Sequence, residues 1–274
     1  LGMDPWGRKM SKSWGNGIDA DSVLDCGLGG RTGSWQIRGP DGKSVKLKAN
    51  KIGSECFRLW KAAEAQVGDD FHINPEEIES KYFGVLTKIF NVARFASQFK
   101  SPESMPSNLS NADMWILSEY DRMRESSERH WSEIDIYSAT QAVKTFLTGV
   151  FPSHWMEMAK SRLYDDDPSA AWTLHAVLSG SLAILSPVCP LFCHHLSSVL
   201  YGNSTMYENE YPRSPGVSIN SSDSVTKSMM QFNAEIWRTK KERNLSLKSP
   251  LEDVSIPAEL EDYAIDLQKM HSLV

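Results

Sequence analysis

Beyond residue 60 the apolar residues recur at helical spacing, whereas between residues 34 and 48 they alternate with basic ones. Asn74-Pro75-Glu76-Glu77 supplies an N-cap, a proline at the first helical position and a glutamate at the third, which marks a helix start. At about 100° per residue, Ile78, Tyr82, Val85, Leu86, Ile89, Val92, Ala93 and Ala96 then share one arc. Lys81, Gly84, Lys88 and Asn91 share another, and Phe95 falls among them. The same spacing predicts helices over 114–131, 136–150, 155–164, 168–185, 192–201 and 224–243. Phe151-Pro152-Ser153 and the pair Pro187 and Pro190 read as interruptions. Residues 202–222, rich in Asn, Ser, Pro, Gly and Tyr, read as a loop. Val254-Ser255-Ile256 reads as a short strand and 259–271 as a helix, a βα unit cut off at Val274. Upstream, 35–38 and 45–48 flank Gly39-Pro40-Asp41-Gly42 as a β-hairpin with apolar residues on one face and basic ones on the other.

Helices of this length joined by short connections imply antiparallel neighbours. The expected fold is therefore mainly α: an antiparallel helix bundle, preceded by a small inserted β-hairpin and followed by a truncated C-terminal βα unit. The expected division is linear. Residues 1–20 form a loop segment and 21–73 a connecting region holding the hairpin. Residues 74–215 form the bundle, and 216–274 a helix with the start of a small α/β subdomain.

Composition narrows the class. With 41% hydrophobic and 23% charged residues, the 274-residue chain reads as an ordinary soluble globular protein with room for one or two cores. No run approaches the roughly eighteen apolar residues of a membrane span, so no membrane partner is expected. Four scattered cysteines, at 26, 56, 189 and 193, imply no disulfide framework and point to a cytoplasmic location. Cys189, Cys193, His194 and His195 lie within about one helical turn, but no second ligand pair accompanies them, so no metal site is expected. The chain opens at Leu1, close to a loop with chemical character, as a fragment of a longer protein would.

A net charge of −6 argues against indiscriminate nucleic-acid affinity. Positive charge is nonetheless concentrated in two stretches. Residues 227–248 carry Lys227, Arg238, Lys240, Lys241, Arg243 and Lys248 against Glu235 and Glu242. Residues 27–51 carry Arg31, Arg38, Lys43, Lys46, Lys48 and Lys51 against Asp41. Each stretch is either a solvated face or a place where a polyanion is steered. Phe95 poses the same alternative: a packed helical phenylalanine, or a platform for an unpaired base beside Lys88 and Arg94.

Near the N-terminus, Lys9-Met10-Ser11-Lys12-Ser13 places two lysines three apart on a Ser-punctuated loop between Gly7 and Gly15. Read physically, this is either a mobile anion clamp or a solvated basic turn. The five residues spell KMSKS, and with Gly7-Arg8 before and Gly15-Asn16 after they resemble the signature of the Rossmann-type aminoacyl-tRNA synthetases. The flanks resemble the branch for valine, isoleucine and leucine. The resemblance implies that Lys12 stabilises the pyrophosphate leaving group of ATP and Lys9 assists. The whole loop, Lys9, Met10, Ser11, Lys12 and Ser13, would close over ATP, a substrate accompanied by Mg2+.

Further segments carry the same likeness. Gly53 to Trp60 resembles the helix that follows the loop in this family, leaving the hairpin as an insertion. Residues 88–95 resemble the Asn-x-x-Arg-Phe stretch opening the anticodon-binding bundle of valyl-tRNA synthetases, which implies that Phe95 contacts an anticodon base. Trp155 to Tyr164 and Ser186 to Phe192 resemble other parts of that bundle, and Ile236 to Leu247 resembles valyl enzymes of the archaeal type. The expected activity is that of a valine–tRNA ligase in the full-length parent. This chain would be the tRNA-recognising C-terminal part, inactive alone and with no cofactor of its own. Phe95, Lys88, Asn91, Arg94, Lys240, Lys241 and Arg243 are the expected tRNA contacts. The expected partners are the tRNA anticodon stem-loop and the remainder of the catalytic domain, in a monomer. An isoleucyl-tRNA synthetase fragment, or a stand-alone helical RNA-binding protein with a vestigial KMSKS loop, are the alternatives.

Overall fold

The computed structural model describes residues 1–17, 23, 34–48, 52–202, 210–217 and 223–274 and is mainly helical. It forms two compact units. One gathers Leu1–Asn91, Ser126–Lys144 and Leu182–Glu210, the other Val92–Glu125, Thr145–Ser181 and Tyr211–Val274.

In the first unit, strand β1 (Gly2–Met3) pairs in parallel with Phe71–His72. The expected hairpin forms from β2 (Ser34–Arg38) and β3 (Ser44–Lys48), with Ile37 opposite Val45 and Gln36 opposite Lys46. The flanking stretches 27–33 and 49–51 lie outside the described residues. Helix α1 (Ser54–Glu64) buries Cys56, Leu59, Trp60 and Ala63. Phe71–His72 is strand β4. Asn74 caps the next helix, its side chain accepting from the Glu76 N–H at 3.2 Å, with Pro75 at the first position. Helix α2 is assigned from Pro75–Ile78 through a π-helical turn, Glu79–Phe83, into Gly84–Ala96, of which the residues from Val92 on belong to the second unit. The turn places buried Tyr82 against Glu64, which accepts from the Tyr82 hydroxyl and from Lys81 Nζ at 2.5 Å. Arg58 donates to the Val188 carbonyl at 2.9 Å, and Gln141 to that of Ala63 at 2.7 Å. These bonds tie distant stretches of the chain onto α1.

Helix α3 spans Asn111–Ser132. Helix α4 comprises Ile136–Thr145, a π-helical stretch Phe146–Trp155, and Met156–Tyr164. The interruption expected at 151–153 is therefore no break. Proline has no N–H for the α-helical ladder, and here the ladder widens, with Met156 N–H reaching back five residues to the Phe151 carbonyl. Within the stretch Phe146, Phe151 and Trp155 stack, with centroids 5.8 and 5.4 Å apart. Helices α5 (Pro168–Leu185), α6 (Pro190–Tyr201) and α7 (Asp223–Glu242) follow, and Pro190 starts α6 as Pro75 starts α2.

The core of the second unit holds a buried ionic hub. Arg162 donates to both carboxylate oxygens of Asp113, at 2.7 and 2.8 Å, and pairs with Asp167 and Asp266, each at 3.2 Å. Trp155 Nε1 and the Ser169 hydroxyl also donate to Asp113. Burial alone would lower the Arg162 pKa, but the aspartates outweigh it and raise it. A 3-10 turn (Ala258–Tyr263) leads into helix α8 (Ala264–His271). The strand expected at 254–256 does not form. Instead the chain end returns to Leu251, whose N–H donates to the Ser272 carbonyl at 3.0 Å and whose carbonyl accepts from Val274 at 3.1 Å. A strand needs a ladder partner, and among the described residues 254–256 has none. Helix α5 is long and apolar enough to cross a bilayer, but 61% of it is buried within the protein.

Candidate functional site

The loop at 9–14 is held from beneath by Asp4 and Asn16. Asp4-Pro5-Trp6-Gly7 makes a turn closed by the Gly7 N–H on the Asp4 carbonyl at 2.9 Å, with Gly7 at φ 77°. The Asp4 carboxylate is fully buried and accepts from Trp6 N–H, Arg8 N–H, Arg8 Nε and Asn16 Nδ2, all within 3.0 Å. Burial works to raise the Asp4 pKa, but these donors outweigh it and hold the carboxyl below its ordinary value. Buried Asn16 bridges the loop: its Oδ1 accepts from Ser11 N–H at 2.8 Å, and its Nδ2 donates to the Lys9 carbonyl at 3.1 Å. The Ser11 and Ser13 hydroxyls lie 2.7 Å apart. A 3-10 turn over Lys12–Trp14 ends on Gly15 at φ 65°, where left-handed backbone suits glycine. Met10 is half-buried, and Lys9, Lys12 and Ser13 are exposed. The framework thus occupies the loop's backbone groups and leaves both ammonium groups facing outward. Neither ammonium is paired with a carboxylate among the described residues.

Asp4 and Asn16 are positioning residues that the sequence reading passed over. The Asp-Pro-Trp-Gly turn was the available signal, since an aspartate at the first turn position caps its own backbone.

The hairpin sits against this loop. Arg8 Nη1 donates to the Gly39 carbonyl at 3.1 Å and Nη2 to the Arg38 carbonyl at 2.6 Å. The Arg38 N–H donates to the Gly15 carbonyl at 2.9 Å. Ile37 is buried, whereas Arg38, Lys43 and Lys46 are exposed. Arg38 folds back, donating from Nε to the Gly42 carbonyl at 3.1 Å.

Along α2, Lys88 and Asn91 are exposed, and so is Arg94. Phe95 is half-buried. Its ring meets Phe99 edge-on at 5.0 Å and Tyr164 at 6.4 Å, and Phe99 meets Tyr164 at 5.5 Å. Tyr164 is 63% exposed, so the three rings form an aromatic patch with an open side. Phe99 and Tyr164 were missed because they lie outside the helical arc that singled out Phe95. Phe90, on the same helix, is 44% exposed.

The basic end of α7 divides. Lys241 and Arg243 are exposed, but Lys240 is fully buried. Lys240 Nζ donates to the carbonyls of Leu247 at 2.7 Å, Ser249 at 2.8 Å and His271 at 2.6 Å. All three N–H groups are used, and burial lowers its pKa. Lys240 is therefore withdrawn from the set expected to meet RNA: it holds the chain that follows α7. The reversal that makes this possible is a Schellman turn. Asn244 is at φ 54°, and Leu245 N–H donates to the Lys240 carbonyl at 2.8 Å. Beside it His271 Nε2 lies 2.7 Å from Asn233 Oδ1, and Asn233 Nδ2 lies 2.9 Å from His154 Nδ1. Burial, with Lys240 and His154 nearby, pushes the His271 pKa down to about 4.

Cys56, Cys189 and Cys193 are buried, and burial raises all three thiols, Cys56 to about 12. No group of three His, Cys, Asp or Glu among the described residues is arranged to hold a metal.

Comparison with known proteins adds to this geometry. Residues 113–256 match the family described as the anticodon-binding domain of tRNA ligase. The valine–tRNA ligase of Aeropyrum pernix is 27% identical over 99% of this chain and 31% of its own length. That of Pyrobaculum aerophilum is 28% identical over 100% of this chain and 32% of its own, and that of Nanoarchaeum equitans 26% over 100% and 32%. The chain thus spans about a third of the length of these curated relatives. Among solved structures, the LeuRS of Agrobacterium radiobacter K84, in a ternary complex with tRNA and LeuAMS, shares the fold. It aligns with a TM-score of 0.55 and 15% identity, over 78% of this chain and 24% of its own.

Proposed function

The chain belongs to the anticodon-binding-domain family of tRNA ligases, and on that premise we propose that it is the tRNA-recognising C-terminal part of a valine–tRNA ligase. The observation that carries this reading is the family match over 113–256, joined in one chain to a loop that exposes Lys9 and Lys12. In the parent reaction the valine carboxylate attacks the α-phosphorus of ATP, and pyrophosphate leaves with a growing negative charge. Two ammonium groups on a pre-arranged loop meet that charge as it develops, and stabilisation confined to the transition state is what accelerates a step. Magnesium accompanies the ATP phosphates. The acyl group then passes to the terminal adenosine of tRNA.

Recognition of that tRNA falls to the helical part. The ring of Phe95 takes an unpaired anticodon base, with Lys88, Asn91 and Arg94 beside it on α2 and Lys241 and Arg243 at the end of α7. Residues 1–20 close the catalytic part, 21–73 connect, 74–215 form the anticodon-binding bundle and 216–274 the C-terminal subdomain. The protein acts as a cytoplasmic monomer.

The test is amino-acid-dependent pyrophosphate exchange by the full-length parent with valine, isoleucine and leucine. Exchange driven by valine well above the other two is the expected result. Preference for isoleucine would reassign the substrate, and no exchange with any of the three would reject the enzyme reading.

A further inference from the structure

The hairpin at 34–48 is the element that the family likeness leaves without a role, and its contacts give it one. Three hydrogen bonds join it to the loop, and they fall on both sides of Lys9–Trp14. Ahead of the loop, Arg8 reaches the carbonyls of Arg38 at 2.6 Å and Gly39 at 3.1 Å. Behind it, the Gly15 carbonyl accepts from the Arg38 N–H at 2.9 Å. The Gly15 N–H in turn donates to the Lys12 carbonyl at 3.1 Å, so a chain of two bonds runs from the hairpin edge to the backbone of Lys12.

The Arg8 guanidinium is fixed for this task by buried Asp4, which takes Nε at 2.8 Å and Nη2 at 2.6 Å. The hairpin is itself anchored, through buried Ile37 and through the packing of β3 on Pro75–Ile78. The Arg38 N–H takes no part in the β2–β3 ladder at the turn, where Gly39 N–H closes on the Lys43 carbonyl. At Arg38, therefore, the outer edge of β2 meets the loop.

We propose that the hairpin is a brace that pre-arranges the lysine loop, with Arg8 as the positioning residue that joins the two. The functional half of this inference rests on the reading of the loop as the ATP phosphate contact. The brace lowers the conformational freedom the loop must lose when it engages phosphate, so its effect falls on the use of ATP and not on the amino acid.

The test compares Arg38→Pro, which deletes the N–H to Gly15, with Arg38→Ala, which keeps it and removes the charge. Arg8→Lys is the second probe, keeping the charge and losing the bridge to two carbonyls. Hydrogen–deuterium exchange in the full-length parent reads residues 9–16 directly, independent of any activity. Pyrophosphate exchange at varied ATP reads the consequence. Arg38→Pro and Arg8→Lys should speed loop exchange by about fivefold or more, the worth of one hydrogen bond. They should raise KM for ATP by a similar factor and leave KM for valine unchanged, while Arg38→Ala stays near wild type in both. Unchanged loop exchange in Arg38→Pro overturns the brace, even where the hairpin itself exchanges faster. Equal effects of Arg38→Ala and Arg38→Pro also overturn it, because charge would then be the cause. Faster loop exchange with unaltered KM for ATP upholds the brace and rejects the ATP role of the loop.

Discussion

Lys9 and Lys12 face outward because Asp4 and Asn16 satisfy the loop's backbone from the protein side. Lys12→Ala in the full-length parent should slow pyrophosphate exchange on the order of a hundredfold, with valine binding intact. A wild-type exchange rate would remove Lys12 from the chemistry. Phe95→Ala should weaken tRNA binding by about 1–3 kcal/mol if the ring stacks on a base. It also gives up edge-on contacts with Phe99 and Tyr164, so some stability, about 0.5–1.5 kcal/mol, should be lost with it. Phe90→Ala, at an exposed position on the same helix, should change neither melting nor binding. If the Phe90 variant loses RNA affinity as fully as the Phe95 variant, the stacking role does not belong to Phe95.

His271 supplies a pH prediction at the same scale. In the folded protein it stays neutral down to about pH 4, whereas in the unfolded chain it gains a proton near its ordinary value of about 6.5. The unfolded state therefore binds more protons between those values, and stability falls as pH drops through that window. The shift corresponds to roughly 3 kcal/mol at most. Thermal melts between pH 7 and 4.5 should show this loss, and His271→Gln should reduce it. Equal pH dependence in the two proteins would place the acid sensitivity elsewhere.

At the scale of elements, the hairpin presents Lys43 and Lys46 outward while Arg38 is drawn back onto its own turn. Replacing Lys43 and Lys46 by Gln should weaken binding of all tRNAs alike and reduce the slope of log affinity against log salt by about 2. An unchanged slope would return the hairpin's charge to solvent. The hairpin and the Asn74-Pro75 helix start were legible because each rests on local chemistry: strict alternation about a Gly-rich turn, and a capping side chain. Pro152 misled because the helix does not end there: it widens into a π-helical stretch over Phe146–Trp155, within which Phe146, Phe151 and Trp155 stack. Lys240 misled for a related reason. A basic run marks a basic surface only while the chain beyond it stays away, and here the Schellman turn at Asn244 folds that chain back over the ammonium. The strand expected at 254–256 failed because β structure depends on a partner that local sequence does not contain.

For the molecule as a whole, the sequence motifs marked both ends of the proposed function, the lysine loop and the stretch ending at Phe95. What they could not show is the support behind them: Asp4, Asn16 and Arg8 under the loop, and Phe99 and Tyr164 around Phe95. Two of those links, Arg8 to the hairpin and Tyr164 to Phe95 and Phe99, join residues far apart in sequence, and the others depend on side-chain geometry that only the fold makes visible. The central claim is that this helical chain recognises tRNA by its anticodon. Its most direct test is a titration of the protein with a valine tRNA transcript and with the same transcript carrying a foreign anticodon. One base read at its edge is worth about 1–3 kcal/mol, so the valine anticodon should bind about tenfold or more tightly, and Phe95→Ala, which removes the stacking platform, should weaken binding of the valine transcript by about 1–3 kcal/mol. Equal affinity for the two transcripts in the wild-type protein would contradict the account.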